Sequence, residues 1–267
     1  MLAALASLRA NHQQPHCDVL LAAVVDEEHS CLGVIELCKD LVADAAIVAE
    51  PTEMKTIIAS KGVLRWEIHA NGKSAHSSKT HLGINAIEHM AELLLRLQKK
   101  HRSLNEISHP LLGPPTANVG IIRGGVQVNF VPDRCTIQID RRLIPGEQVS
   151  EVLAGYQQLL DEAQRDIPYA AFSMDLPLLI DPSLETSAQA PIARISSSIL
   201  RRIGYDNRLG GVPFGSDASK IRQKGIDTII FGPGSIDQAH SAVEYVDIQQ
   251  VQDACEYYKL LIQEFIP

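Results

Sequence analysis

At 267 residues the chain is long enough to bury a sizeable core, as one large domain or two modest ones. Hydrophobic residues at 45% and charged residues at 21% are ordinary for a folded globular protein, and a formal charge of −8 without a dense Lys/Arg stripe argues against a nucleic-acid partner. The longest apolar runs, VLLAAVV and LVADAAIVA, fall far short of the roughly 20 residues that cross a bilayer, so no membrane association is expected.

The opening MLAALASLRA lacks a basic leading segment and reads as an amphipathic helix, not a signal peptide. The cysteines Cys17, Cys31, Cys38, Cys135 and Cys255 show no C-x-x-C spacing. They read as small core residues in a reducing, cytoplasmic setting.

In chain order, the first sixty residues predict a helix at LAALASL, a strand at CDVLLAAVV, a helix at CLGVIELC and a strand at DAAIVAE. Continuously apolar strands alternating with helices point to an α/β fold, with a mostly parallel sheet covered by helices. Acidic residues fall just after the strands, at the carboxyl edge where open α/β sheets bind ligands. From Lys61 the texture becomes alternating, in VLRWEIHANGKSAH, with Asn71-Gly72 as a turn signal. There follow a helix at INAIEHMAELLLRLQKK, strands at TANVGIIRGG, VQVNFV and CTIQIDRRL, a helix at EQVSEVLAGYQQLLDEAQR and a strand at AAFSMDLP. The order β-α-β-β-α-β predicts an inserted α+β, ferredoxin-like domain over 62–177, with 1–61 and 178–267 forming the two parts of the first domain. The remainder reads as the helix APIARISSSILRRIG, the loop GGVPFGSDASK, the strand DTIIFGPG, the loop SIDQAH and the helix DIQQVQDACEYYKLLIQEF.

Asp26, Glu27 and Glu28 stand in a row after the first apolar strand. Like charges beside a core are relieved by a cation, a proton or water. A helix N-terminus accounts for one such acid and poorly for three. Glu50 ends the next strand on the same edge. With His240, in FGPGSIDQAHSAVEY, these residues make a mixed oxygen and nitrogen set that suits Zn²⁺, Co²⁺ or Mn²⁺. His76, in NGKSAHSS, is either a surface-loop histidine or an oxyanion donor. Asn129 and Arg142 are chemically suited to holding a carboxylate, and Arg141 and Arg142 fall on opposite faces of one strand, so only one can serve.

Taken together, DEEHSCLG, AEPT, GKSAHSS, VNFVPDRCTIQIDRRLIPG, GSDAS and FGPGSIDQAH resemble, in order, the M20 family of metallopeptidases and amidohydrolases. The resemblance implies two divalent metal ions, zinc or cobalt and otherwise manganese, with Glu28 and His240 on one and Glu50 on the other. Glu27 would be the general base and acid. His76 would reach across a homodimer of inserted domains as the oxyanion donor, Asn129 and Arg142 would grip the substrate carboxylate, and Ser216 and Asp217 would line the pocket. The implied reaction is hydrolysis of the amide of a small N-acyl amino acid, and GSDAS and GPGSIDQAH are most similar to the acetylornithine deacetylase group, enzymes of arginine biosynthesis. A dipeptidase or carboxypeptidase of the same family, and a non-catalytic dimerising chain, are the alternatives.

The family's H-x-D and Gly-rich D-M-K-G segments, which carry its first histidine ligand and its bridging aspartate, precede the DEE strand and are not found in this sequence. His16-Cys17-Asp18 spells H-x-D but lies too close to Asp26 to serve. The resulting expectation is an N-terminally truncated relative that supplies three ligands, binds metal weakly, turns over poorly and leaves apolar surface exposed in its first domain.

Overall fold

The computed structural model describes residues 1–239 and 241–266, so His240 lies outside the described residues. The chain divides into unit 1, Met1–Ser60 with Ser183–Pro267, and unit 2, Lys61–Pro182. In chain order the elements are α1 (Leu2–Ala10), α2 (Leu32–Asp40), β1 (Ala45–Val48), β2 (Ile57–Ser60), β3 (Gly62–Asn71), β4 (Ala75–His76), α3 (Ala86–Ser103), β5 (Thr116–Gly124), β6 (Phe130–Val131) and β7 (Arg134–Leu143). They continue with α4 (Val149–Asp166), β8 (Ala171–Met174), β9 (Leu179–Asp181), β10 (Leu184–Glu185), α5 (Pro191–Arg202), β11 (Gly210–Val212), α6 (Ala218–Gln223), β12 (Asp227–Ile230) and α7 (Ile248–Glu264).

Unit 1 is built on a sheet of order β1-β12-β2-β10, with β11 also on β2. Its longer ladders, β1 with β12 and β11 with β2, are parallel, while β10 and β12 meet β2 in short antiparallel contacts. Alternation along β1 shows both faces covered. Ala45 and Ile47 pack with α1, α5 and α7, whereas Ala46 and Val48 face α2 and α6. Phe231, just after β12, stacks on Tyr257 of α7 with ring centroids 3.7 Å apart.

The run CDVLLAAVV departs from its expected strand. It forms no strand, and Leu20 and Val25 are 71% and 72% exposed. A strand needs a ladder partner, and among the described residues β1 pairs only with β12. The run is tied instead to the start of α2, where Gly33 N–H donates to Val25 O. A Cβ on Gly33 would come within 2.4 Å of that oxygen, so this approach requires glycine. Smaller departures are β2 and β10, which were not singled out in the sequence, and β11 and α6, which lie or begin inside the segment read as a loop.

Unit 2 is an antiparallel sheet of order β5-β7-β3-β8, with β9 also on β3 and a small separate ribbon of β4 with β6. β3 and β7 pair over ten residues, from Gly62↔Leu143 to Asn71↔Arg134. Leu64, Trp66, Ile68 and Ala70 of β3 share a core with Ile137 and Ile139 of β7 and with α3 and α4. Burial of each large side chain contributes about 1.5–3 kcal/mol. Asn85 caps α3, its side chain accepting from Ile87 N–H and Glu88 N–H at 3.0 and 3.3 Å. Of the expected strand VQVNFV only Phe130–Val131 is one, and Val126 and Val128 are exposed, since β4 offers just two residues to pair with.

Candidate active site

The site-forming part of unit 1 is the carboxyl edge of its parallel ladder. β1 and β12 end side by side at Val48↔Ile230, so Glu50 and Gly232 leave the sheet together. A Cβ on Gly232 would fall 2.5 Å from Glu50 O, which makes glycine necessary there. Thr52 locks the two loops, its hydroxyl accepting from Gly232 N–H at 3.1 Å while its own N–H donates to Gly232 O at 3.3 Å. Two helix N-termini arrive at the same edge. Val34 and Cys38 of α2 pack on Ile221 of α6 and on Ile226, which sets Cys31, before α2, and Asp217, before α6, close together.

Glu27, Cys31 and Asp217 each place one ligand atom within 4.8 Å of the others. The Glu50 carboxyl is pushed up to about 7, first by burial and then by the charges of Glu27, Asp217 and Glu28. Four carboxylates therefore share one field, and their mutual repulsion favours the protonated form of Glu50. Asp26 is outside this conflict: the Ser30 hydroxyl, and less so Leu32 N–H, hold its carboxyl below the usual range. Asp217 is 5% exposed and Ser216 2%, with Ser216 Oγ accepting from Ala218 N–H at 3.3 Å. The donor set of carboxylates and a thiol fits a borderline divalent cation such as zinc or cobalt. Glu27, Glu28, Glu50 and Asp217 are thus brought together, and His240 falls outside the described residues.

The remaining candidates belong to unit 2. His76 pairs with Phe130 across the small ribbon, and Ser77 N–H donates to Asn129 O at 2.9 Å, so His76 and Asn129 are neighbours. His76 Nδ1 accepts from Ser78 N–H at 3.2 Å, which leaves the proton of the neutral ring on the exposed Nε2. Arg142 is on the main sheet instead, on the face away from the helices, with its Nε donating to Asp140 at 2.7 Å. Arg141 points into the core and pairs with Glu147 at 2.5 Å. Sequence reading missed Cys31, taken as a core residue. The one available signal was its place directly after DEEHS, since its left-handed backbone, φ 56°, is invisible in the sequence.

An α/β unit gathering carboxylates at its sheet edge, interrupted by a helix-backed antiparallel sheet, defines the class: a two-unit α/β protein with an acidic centre. The comparisons with known proteins agree. Residues 58–168 match the family described as a peptidase dimerisation domain. The chain is 30% identical over 249 residues to an acetylornithine deacetylase of Myxococcus xanthus, covering 90% of this chain and 63% of the relative. It is 31% identical over 251 residues to one of Vibrio cholerae, covering 91% and 64%. Among solved structures it superposes on the aminopeptidase PepT of Bacillus cereus with a TM-score of 0.81 at 20% identity, covering 98% of this chain and 68% of that one. A dinuclear metal binding peptidase of Bacillus subtilis gives 0.73 at 15% identity, covering 99% and 70%. Over most of its length the chain is similar to members of the M20 peptidase/amidohydrolase family. It spans less than two thirds of the length of the acetylornithine deacetylases it matches. No helix among the described residues is long and apolar enough to cross a membrane.

Proposed function

We propose that the chain carries the reactive centre of a divalent-metal-dependent amidohydrolase acting on small N-acyl amino acids, with N-acetylornithine the foremost substrate. The observation that carries this reading is the convergence of Glu27, Glu28 and Asp217 on Glu50, whose carboxyl is raised to about 7. The identity to two acetylornithine deacetylases supports the substrate class. Glu28, Glu50, Asp217 and His240 would hold the cations, zinc or cobalt, and Cys31 adjoins them. Bound there, the metal would polarise the scissile carbonyl and acidify water.

The chain's own residues do the rest. Glu27 takes a proton from the attacking water and delivers it to the leaving amine, a role worth roughly 10²–10⁴ in rate. His76 offers its Nε2–H to the developing oxyanion, acting across a homodimer of unit 2. Asn129 and Arg142 hold the substrate carboxylate, and Ser216 shapes the pocket wall. The compartment in this reading is the cytoplasm.

The test is release of ornithine from N-acetylornithine, set against N-acetylmethionine, an N-succinyl amino acid and a dipeptide, with added zinc or cobalt. Cation-dependent hydrolysis that prefers the N-acetyl amino acids is expected. Hydrolysis indifferent to a chelator, or absent while cation is bound, would count against it and favour a non-catalytic dimerising chain.

A further inference from the structure

Unit 2 holds a second group of potential ligands on the sheet face that its helices leave open. Leu64, Trp66, Ile68 and Ala70 point into the helix-covered core, so Glu67 and His69 stand on the opposite face of β3. β7 sets Gln138 opposite Glu67 and Thr136 opposite His69. Just beyond β8, Asp175 N–H donates to Glu67 O at 3.1 Å, which delivers its carboxylate to the imidazole. His69 Nε2 lies 2.9 Å from Asp175 Oδ2 and 3.9 Å from Glu67 Oε2, and the three ligand atoms are all within 4.8 Å of one another. His69 is only 3% exposed, although Arg65 and Asn71 on the same face are exposed. Polar neighbours, not the hydrophobic core, enclose this ring.

We propose that Glu67, His69 and Asp175 form a binding site for one divalent transition-metal ion of the zinc type. Two carboxylates and an imidazole nitrogen are the donors such an ion takes, with open positions left for water. The donors are also held in place. Gln138 Nε2 donates to Glu67 Oε1 at 2.5 Å, leaving Oε2 toward the ring. Thr136 Oγ1 stands 2.8 Å from His69 Nδ1, the kind of oxygen partner that fixes a ligating histidine from behind.

Without a cation the network closes on itself. Nε2–H donates to Asp175, while Nδ1 accepts from the Thr136 hydroxyl or from Arg134 Nη2 at 3.3 Å. A metal ion takes the Nε2 lone pair, so the ring's single proton must move to Nδ1, where it is donated to Thr136 and Arg134 is released. Loading therefore swaps the tautomer of His69 with no net release of protons from it. None of these residues belongs to the acidic centre of unit 1, and the inference does not depend on the hydrolytic reading.

The test uses the full chain with ¹⁵N-labelled histidine, titrated with Zn²⁺. Protonation of His69 moving from Nε2 to Nδ1 as zinc is added is expected. Equilibrium dialysis should find one bound zinc per chain fewer in His69→Ala and in Asp175→Asn, and Thr136→Val should weaken that same equivalent by about 10–100-fold. The Asp175 variant alters an exposed carboxylate and keeps the test open if His69→Ala fails to fold. The proposal is overturned if both variants bind as much zinc as tightly as the parent, or if His69 keeps its Nε2–H at saturating zinc.

Discussion

Residues 17–25 in unit 1 and Gly62–Asn71 in unit 2 are both strand-forming by composition, yet they end in opposite conditions. The second is laddered on both edges, by β7 and by β8 with β9, and its apolar side chains are buried. The first has no ladder, and its Leu and Val side chains stand in solvent. Apolar pattern supplies the driving force, but backbone groups withdrawn from water must find partners before that force can be realised as a strand. Unit 2 contains its own partners, whereas in unit 1 β1 pairs on one side only among the described residues.

The largest expected difference between the units comes from a buried charge. Arg141 and Glu147 are nearly enclosed in unit 2, so Glu147→Ala strands a guanidinium and should cost that unit about 3–5 kcal/mol. Urea unfolding followed by Trp66 fluorescence reads this directly, because Trp66 sits in the same core. A loss below 1 kcal/mol would mean that water reaches Arg141.

Acidity should then move the two units in opposite directions. The Glu50 carboxyl, near 7 in the fold against 4.5 ordinarily, binds protons more tightly folded than unfolded. Unit 1 without cation therefore loses stability as pH rises from 4.5 to 7, by on the order of 3 kcal/mol, and Glu50→Gln removes that slope. His101, in unit 2, is held down to about 4, first by burial and then by Arg141 and Lys100. Its unfolded form binds more protons between 4 and 6.5, so unit 2 loses stability as pH falls through that window. Amide exchange of β12 and of β7 across pH separates the slopes, and parallel trends would refute the assignment.

The smallest effect is expected where the fold invests least. Leu20→Lys and Val25→Lys alter exposed side chains and should change stability by no more than about 0.5 kcal/mol while reducing self-association. Light scattering and thermal melts check both halves. Strong destabilisation would show that this run is packed in solution.

Much of the fold was legible because it rests on local signals. The apolar spacing of Ala86, Met90, Leu93 and Leu97 marks α3. The alternation in VLRWEIHAN marks β3 and its buried face. What could not be read depended on partners distant in sequence. Residues 17–25 look like a buried strand in isolation, yet they find no ladder partner among the described residues. The gathering at Glu50 was partly legible, since Glu50 follows β1 and the DEE acids were expected beside it, but the run before DEE forms no strand and Cys31 joins through a backbone turn that no spacing announces. The Glu67, His69 and Asp175 group was hidden for a similar reason, because Asp175 is 106 residues from His69 and is delivered by strand register.

The most direct test of the hydrolytic account compares the chain with its Glu27→Gln variant, assaying N-acetylornithine hydrolysis and bound cation side by side. The account expects cation-dependent turnover in the parent, and in the variant a rate at least 10²-fold lower with cation binding retained. An undiminished rate in the variant, or no cation-dependent turnover in the parent, would contradict it.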